Sequence, residues 1–435
     1  MPRVKWLKIG GLSLLGIVLV IFALIGYLNS TRETPTEVVT PYDGSHALPG
    51  IGDTAFLHSL ELLTQTDLQP GHRIEPLFDG DGTFPRIWQD IRAARESVIA
   101  QLYYCKPGAV ADSLKRVLVA TARRGVRTYV LFDAFGALEL SEEYLDSLRA
   151  GGVRVAQFRP VRWYTLHKAQ NRSHVRAIIV DDAVAYTGGF GIDDVWLGDG
   201  HRRDQWRETN VRFTGPAVVQ LQAAFATAWA EATGELWTGW RPHEAPAAAD
   251  TSGAHAGLLY AEPVLGSTAA ERFLALTISG ARRTLYISNA YFVPDDDLRR
   301  MLRAAARRGV DVRVLTAGPE TDVKVVRIAG RAGWEELLRA GVRIYEYQPT
   351  MLHAKTIVAD DFWVTIGTMN FDNRSIAFNE ESNLIVQDSA VAGLMRGKFE
   401  DDLRFSKEIV LREFVRRSVF AKALERLAGM AANLL

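Results

Sequence analysis

Cysteine is almost missing from this chain: Cys105 is the only one among 435 residues. An intramolecular disulfide and any metal site built on several thiolates are thereby excluded. Cys105 closes an apolar run, so it reads as a buried structural thiol rather than a nucleophile. An excess of charge is missing too, since 51 Lys and Arg stand against 51 Asp and Glu and leave a formal net charge of zero. Proteins that neutralise a phosphate backbone are usually basic, so no nucleic-acid partner is expected. With 23% charged residues, the composition is that of an ordinary globular chain, long enough for two domains with sizeable cores.

Long apolar runs are equally scarce, with one exception: IGGLSLLGIVLVIFALIGYL, residues 9–28, has 20 uncharged residues, the length that spans a bilayer core as a helix. It lacks the short apolar region and small-residue cut site of a cleaved signal peptide. Arg3, Lys5 and Lys8 precede the run, whereas Arg32 beyond it is diluted by Glu33 and Glu37. The positive-inside rule therefore keeps the N-terminal tail, 1–8, cytoplasmic and sends the body across the membrane. Residues 29–75, with Pro35, Pro41 and Pro49, read as a juxtamembrane connector.

What the chain does have is an internal repeat. LHAKTIVADDFWVTIGTMNFD at 352–372 alternates like a strand, turns at Asp360 and Asp361, and returns as a second strand. SHVRAIIVDDAVAYTGGFGID at 173–193 aligns on it without gaps, so His174 falls on His353, Arg176 on Lys355, Asp181 on Asp360 and Gly188 on Gly367. Upstream, ARESVIAQLYYCKP at 94–107 matches ARRTLYISNAYFVP at 281–294, and ARRGVRTYVLFD at 122–133 matches the segment from 306. Two units follow, 76–240 and 258–435, joined by a linker at 241–257 rich in Ala and Pro. Each unit reads strand, helix, strand, helix, strand, then hairpin, which predicts an α/β fold of two related units with mixed sheets flanked by helices. The C-terminal stretch from Ser406 has a helical pattern with apolar and arginine-rich faces, suited to docking on the body or to lying on lipid.

On a strand, His353 and Lys355 share a face, a nucleophile or proton carrier beside a fixed cation, and that pairing suits a phosphate. A phosphodiester resists attack because its oxygens are negative. A site must neutralise that charge, hold the nucleophile in line and protonate the departing alkoxide. Two histidines can divide the covalent and acid work, because one can be neutral while the other is protonated near neutral pH. Arg176 and Lys355 would supply charge to the non-bridging oxygens, and neither a metal nor a cofactor is required.

The motif HxKx4D followed by GTxNxDxRS, duplicated in one chain, resembles the phospholipase D superfamily, and its bacterial cardiolipin synthase branch in particular. LHAKTIVADD, GTMNFDNRS and FNEESN carry the resemblance in the second unit; YTGGFGI, WRETNVRFTGPAV and RPVRWYTLHKAQNRSH carry it in the first. The resemblance covers nearly everything from about residue 76 onward and implies a pseudo-twofold site where the two hairpins meet. His174 is then the nucleophile, forming a phosphohistidine, and His353 the general acid, an assignment resting on the family alone. Asp181 and Asp360 belong to the same catalytic motif, although their turn positions suit fixing the hairpin better than touching substrate. Glu208 and Glu381 are the carboxylates that the family pattern puts behind the rings, where they would set the tautomer. Asn370, Ser375, Asn383 and the backbone of Gly188 and Gly367 are candidates for lining the phosphate pocket.

The first unit departs from the pattern twice. Arg176 replaces the expected lysine, and Gly191 stands where the second unit has Asn370. Arginine keeps the charge but presents it as a planar fork. The stretch 159–176 adds Arg159, Arg162, His167, Lys168 and Arg172 interleaved with Trp163 and Tyr164, a mixture suited to anionic headgroups at a bilayer interface. A phosphatidyltransferase of cardiolipin synthase type is therefore expected, acting on phosphatidylglycerol or on phosphatidylethanolamine as donor. A phospholipase D-type hydrolase, a nuclease and a scaffold with a damaged site are the alternatives. No feature of the sequence speaks to oligomeric state. The predicted orientation has a direct check: alkaline phosphatase fused after residue 60 should be active, because that reporter works only outside the reducing cytoplasm. Activity of a cytoplasmic reporter at that position instead would overturn the orientation.

Overall fold

The computed structural model describes residues 35–44, 47–160, 162, 170–239, 253–264 and 266–430. The apolar run at 9–28, residues 163–169 of the basic-aromatic stretch and most of the linker lie outside the described residues. Among the described residues no helix is long and apolar enough to cross a membrane.

The first unit supplies β1 (Gln69–Phe78), β2 (Ser97–Leu102), β3 (Arg127–Asp133), β4 (Arg154–Phe158), β5 (Ala177–Val180), β6 (Val184–Gly188) and β7 (Thr209–Thr214). The second repeats them as β8 (Ala254–Ala261), β9 (Thr284–Asn289), β10 (Asp311–Ala317), β11 (Arg343–Tyr347), β12 (Lys355–Ala359), β13 (Trp363–Gly367) and β14 (Glu381–Gln387), with β15 (Ser406–Glu408) added at its edge. All join one sheet, in the order β15-β11-β10-β9-β12-β13-β14-β8-β1-β7-β6-β5-β2-β3-β4. Outward from the central antiparallel pair of β8 and β1, each half meets its counterpart strands in the same sequence. That is the order a pseudo-twofold axis between the units produces.

Strands β2, β3 and β4 run parallel, as do β9, β10 and β11. Parallel neighbours need crossovers, and the amphipathic helices Ala109–Arg123 and Asp296–Arg307 provide two of them. Each ends in an arginine that complements the negative end of the helix dipole, and Asp295 caps the second by accepting from the Leu298 N–H at 2.8 Å. The core crosses the boundary between units: Ile179, Phe213, Phe225 and Trp229 of the first pack in one cluster with Leu258, Tyr347, Val386 and Phe399 of the second.

Two expected boundaries shift. The segment 29–75 is more than a connector, because it holds the helix Thr54–Thr64 and most of β1, and Ile51, Phe56 and Leu60 are buried against Phe273 and Leu274 of the second unit. The linker is shorter than 241–257, since β8 already starts at Ala254. In both places the flanking Pro, Gly and Ala-rich segments masked short apolar elements that gain their stability from tertiary packing.

The two hairpins are built alike. Asp181, Asp182, Asp360 and Asp361 all adopt left-handed backbone, with φ of 52°, 54°, 51° and 63°, a conformation that Asp tolerates better than most residues. The Asp181 carboxylate accepts from the backbone N–H groups of Arg95, Glu96 and Ser97, at 2.7 to 3.0 Å. Asp360 does the same for Arg282, Arg283 and Thr284, at 2.6 to 3.0 Å. Each aspartate thus pins its hairpin to the start of the neighbouring strand, at the end of β5 or β12 opposite the histidine. Their membership of a catalytic motif does not extend to the reacting centre. Asp360→Ala would leave three N–H groups without their charged acceptor and should lower stability by about 1–3 kcal/mol in urea unfolding. Turnover per folded molecule should stay within about twofold of wild type; an unchanged unfolding midpoint would refute this role.

Candidate active site

Neither unit contains a complete site. The residue before each histidine forms an isolated parallel bridge with the residue before the other unit's glutamate: Ser173 with Glu380, and Leu352 with Arg207. His174 N–H donates to the Glu380 carbonyl at 2.9 Å, and His353 N–H donates to the Arg207 carbonyl at 2.8 Å. These bridges set the side chains that follow in opposition. His174 Nδ1 lies 2.9 Å from Glu381 Oε1, and His353 Nδ1 lies 2.6 Å from Glu208 Oε2. Each imidazole is therefore held by the carboxylate of the other unit. Because a carboxylate only accepts, Nδ1 of each ring carries the proton, and Nε2 is the nitrogen left for chemistry.

Two cations complete the group. Lys355 Nζ sits 3.0 Å from both ring nitrogens of His353. Arg176 donates from Nη1 to the His174 carbonyl at 3.2 Å, and its guanidinium lies 5.5 Å from the centre of the Tyr103 ring. Its Nε has no hydrogen-bond partner among the described residues. Tyr103 in turn meets the His174 ring edge-on at 4.9 Å, while Trp196 and Trp206 pack against His353 at 5.3 and 5.1 Å. All six charged or titratable groups are buried.

Burial in this cluster decides the protonation states. It pushes His174 down to about 4 against the pull of Glu381, with Arg176 and Lys355 adding to the effect. His353 is held well below its ordinary value by burial, then by the charges of Lys355 and Arg176. Lys355 itself falls to about 7, because burial outweighs the attraction of Glu208. At neutral pH the site thus holds two neutral imidazoles between the carboxylates, the Arg176 guanidinium and a Lys355 near the midpoint of its titration. A bound phosphodiester adds a negative charge, which favours protonating one imidazole and so creates the acid that the leaving alcohol needs.

The remaining candidates separate. Ser375 stands beside Glu381, with its N–H donated to Asp372, and Asn370 is buried with Oδ1 unpartnered among the described residues. Asn383 does not line a phosphate pocket: its Oδ1 accepts from the Met369 N–H at 3.3 Å. A Cβ on Gly367 would collide with Asn383, and one on Gly188 would collide with Asn210. Those glycines permit close approach of strands rather than contact with substrate. Two cations of the basic-aromatic stretch are committed inside the protein. Arg172 is buried in a bidentate pair with Asp133, and Arg159 pairs with Glu231 and Glu380.

Trp196 escaped the sequence reading. In the second unit the Thr368 hydroxyl donates to Glu381; in the first the Trp196 indole donates to Glu208 at 3.1 Å. A Cβ on Gly191 would strike the Trp196 ring, and one on Gly189 would strike Glu208. The glycines opposite Thr368 and Asn370 therefore make room for an indole, and the unequal sequences GGFG and GTMN were the available signal.

A family model described as cardiolipin synthase, PLD-like domain, matches residues 87–229 and 274–403. The chain belongs to this family. A cardiolipin synthase of Geobacillus kaustophilus is 33% identical over 380 residues, covering 87% of this chain and 74% of its own. Cardiolipin synthase A of Pseudomonas putida is 32% identical over 360 residues, 82% of this chain and 74% of its own. Among solved structures, phosphatidylserine synthase of Haemophilus influenzae superposes with a TM-score of 0.66 at 14% identity, over 87% of this chain and 97% of its own. Polyphosphate kinase of Porphyromonas gingivalis reaches a TM-score of 0.53 at 12% identity, over 92% of this chain and 57% of its own. At those identities the likeness is one of fold.

The lysine offers a test by pH. Lys355 is charged below about pH 7 and neutral above it, so affinity for a soluble monoanionic phosphodiester should fall as pH rises through 7, by up to about tenfold per unit. Lys355→Arg should flatten that limb. A wild-type affinity that stays level from about pH 6.5 to 9 would contradict a titrating lysine in the site.

Proposed function

We propose that the protein is a membrane-associated phosphatidyltransferase of cardiolipin synthase type. The observation that carries the reading is the pair of histidines, each oriented by the other unit's glutamate, with Arg176 and Lys355 beside them. In the first half-reaction, Nε2 of His174 attacks the phosphorus of phosphatidylglycerol as the bond to the glycerol oxygen breaks. His353 gives its proton to that oxygen, and glycerol leaves a phosphatidyl-histidine behind. In the second, the hydroxyl of another phosphatidylglycerol gives its proton to His353, and its oxygen displaces Nε2 to form cardiolipin. Glu381 and Glu208 stabilise the imidazolium at each stage, and the two cations hold the non-bridging oxygens. Phosphatidylethanolamine as donor would leave ethanolamine instead.

Membrane association is part of the proposal and rests on the apolar run at 9–28 and on lipid substrates. The test is to incubate the full chain in mixed micelles with labelled phosphatidylglycerol and to resolve the products. Cardiolipin with released glycerol is expected, whereas phosphatidic acid alone would make the enzyme a hydrolase. His174→Ala and His353→Ala should each abolish transfer, because removing either member of a nucleophile and acid pair stops the cycle. Arg176→Lys should retain substantial activity, whereas Arg176→Ala should lose roughly 2 to 4 kcal/mol of transition-state stabilisation, as when one oxyanion donor is deleted. Turnover of His174→Ala within about twofold of wild type would sink the mechanism.

A further inference from the structure

The C-terminal helix Val419–Met430 is amphipathic in the inverted sense. Its inner face docks on the helix Lys324–Arg331 through a charge: Glu425 is buried between Arg331, 3.1 Å away, and Arg417, at 2.6 Å. Ala428 packs against the small buried cluster of Val293, Val326 and Ala329. That ion pair fixes the rotation of the helix, and the apolar stripe consequently faces outward. Val419, Phe420, Leu427 and Met430 are 84%, 80%, 65% and 81% exposed, with Leu424 between them at 46%. Positions 420, 424 and 427 share one helical face, so the patch is continuous. An apolar patch of this kind is not a feature of an ordinary soluble surface.

Three observations say what covers it. Pro35 and Met430 line the same cleft, which places Pro35 near the C-terminal end of this helix. The apolar run that ends at Leu28 lies seven residues before Pro35, a reach of at most about 25 Å. Three exposed cations accompany the stripe, Arg412 and Arg416 just before the helix and Arg426 on it, charges that anionic headgroups would attract. The helix is also tied to the site through one shared cluster: Val293, Val326 and Ala329 take Ala428 on one side and Tyr291 as another neighbour, and Tyr291 lies 6.4 Å ring to ring from His353. On the His174 side, Phe135 and Leu138 stand 51% and 66% exposed in the loop after β3, whose Gly136 packs on the backbone of Tyr103.

We infer that the outward face of the helix Val419–Met430 lies in the bilayer interface and holds the mouth of the site against the lipid surface. The choice of lipid as occupant rests on the phosphatidyltransferase reading; the position of the helix can be measured without turnover. Cys105 is fully buried, so nitroxide labels at Phe420→Cys, Leu427→Cys or Val419→Cys report alone on the full chain in discs of phosphatidylglycerol and phosphatidylcholine. Collision with oxygen, which concentrates in lipid, should exceed collision with a water-soluble nickel chelate at these positions. At Arg127→Cys, exposed at the far end of the sheet, the order should reverse. Nickel access at 420 and 427 equal to that at 127 overturns the inference. So does protection from both reagents, whether with spin–spin broadening from a second copy or without it from the chain's own N-terminal segment. Phe420→Asp with Leu427→Asp should raise the apparent KM for phosphatidylglycerol in discs roughly tenfold and leave turnover of a monomeric short-chain analogue unchanged. A wild type without transfer activity would fail the functional reading while the label data still decided where the helix lies.

Discussion

His174 and His353 are each oriented by a glutamate from the other unit, and most of the structure serves to keep those two contacts in place. A carboxylate and an imidazole buried together tolerate little displacement, because an unpaired charge in such a setting costs several kcal/mol. The crossed backbone bridges at Ser173–Glu380 and Leu352–Arg207 supply that precision. The continuous sheet and the apolar core shared by both units supply the rigidity behind it. Arg207 adds to this role: it carries one bridge on its backbone and pairs its guanidinium with Asp79 and Asp402. Separating the units would dissolve the site completely, since neither half retains a histidine with its partner.

The duplication is symmetric in backbone and asymmetric in chemistry. Thr368 supports one glutamate and Trp196 the other, and the glycines of the first unit yield the space that the indole fills. Lys355 stands against the ring nitrogens of His353, whereas Arg176 bonds to the backbone of His174 and keeps its fork among Glu208, Glu381 and Tyr103. The two imidazoles consequently sit in different fields. Such a difference is what a reaction with separate nucleophilic and acid roles requires, and an exact twofold could not provide it.

Charge is also used against the usual division of inside and outside. Glu425 sits under a surface helix, the Arg172–Asp133 pair is buried at the end of β3, and apolar side chains of the C-terminal helix are left facing outward. Buried ion pairs are poor sources of stability but strong determinants of register, because only one arrangement satisfies them. Here they set the rotation of a helix and the path of the segment leading to His174.

The repeat, the α/β alternation, both hairpins, the two histidines with their flanking cations, and the glutamates as their partners were all legible in the residues. All but the last are written in local periodicity or in motif spacing, which survive without any knowledge of neighbours; the glutamates came from the family resemblance. Which glutamate serves which histidine was not legible, because the exchange between units depends on contacts about 145 to 207 positions apart in the chain. Nor was the filling of the Gly191 space by Trp196, or the commitment of Asn383 and Arg172 to holding the frame, whereas the turn positions of Asp181 and Asp360 already pointed to fixing their hairpins. A sequence states which groups are available at each position. Packing and burial decide which of them are left free to meet a substrate, since a polar side chain enclosed in the interior must first satisfy the unpaired backbone and charges around it.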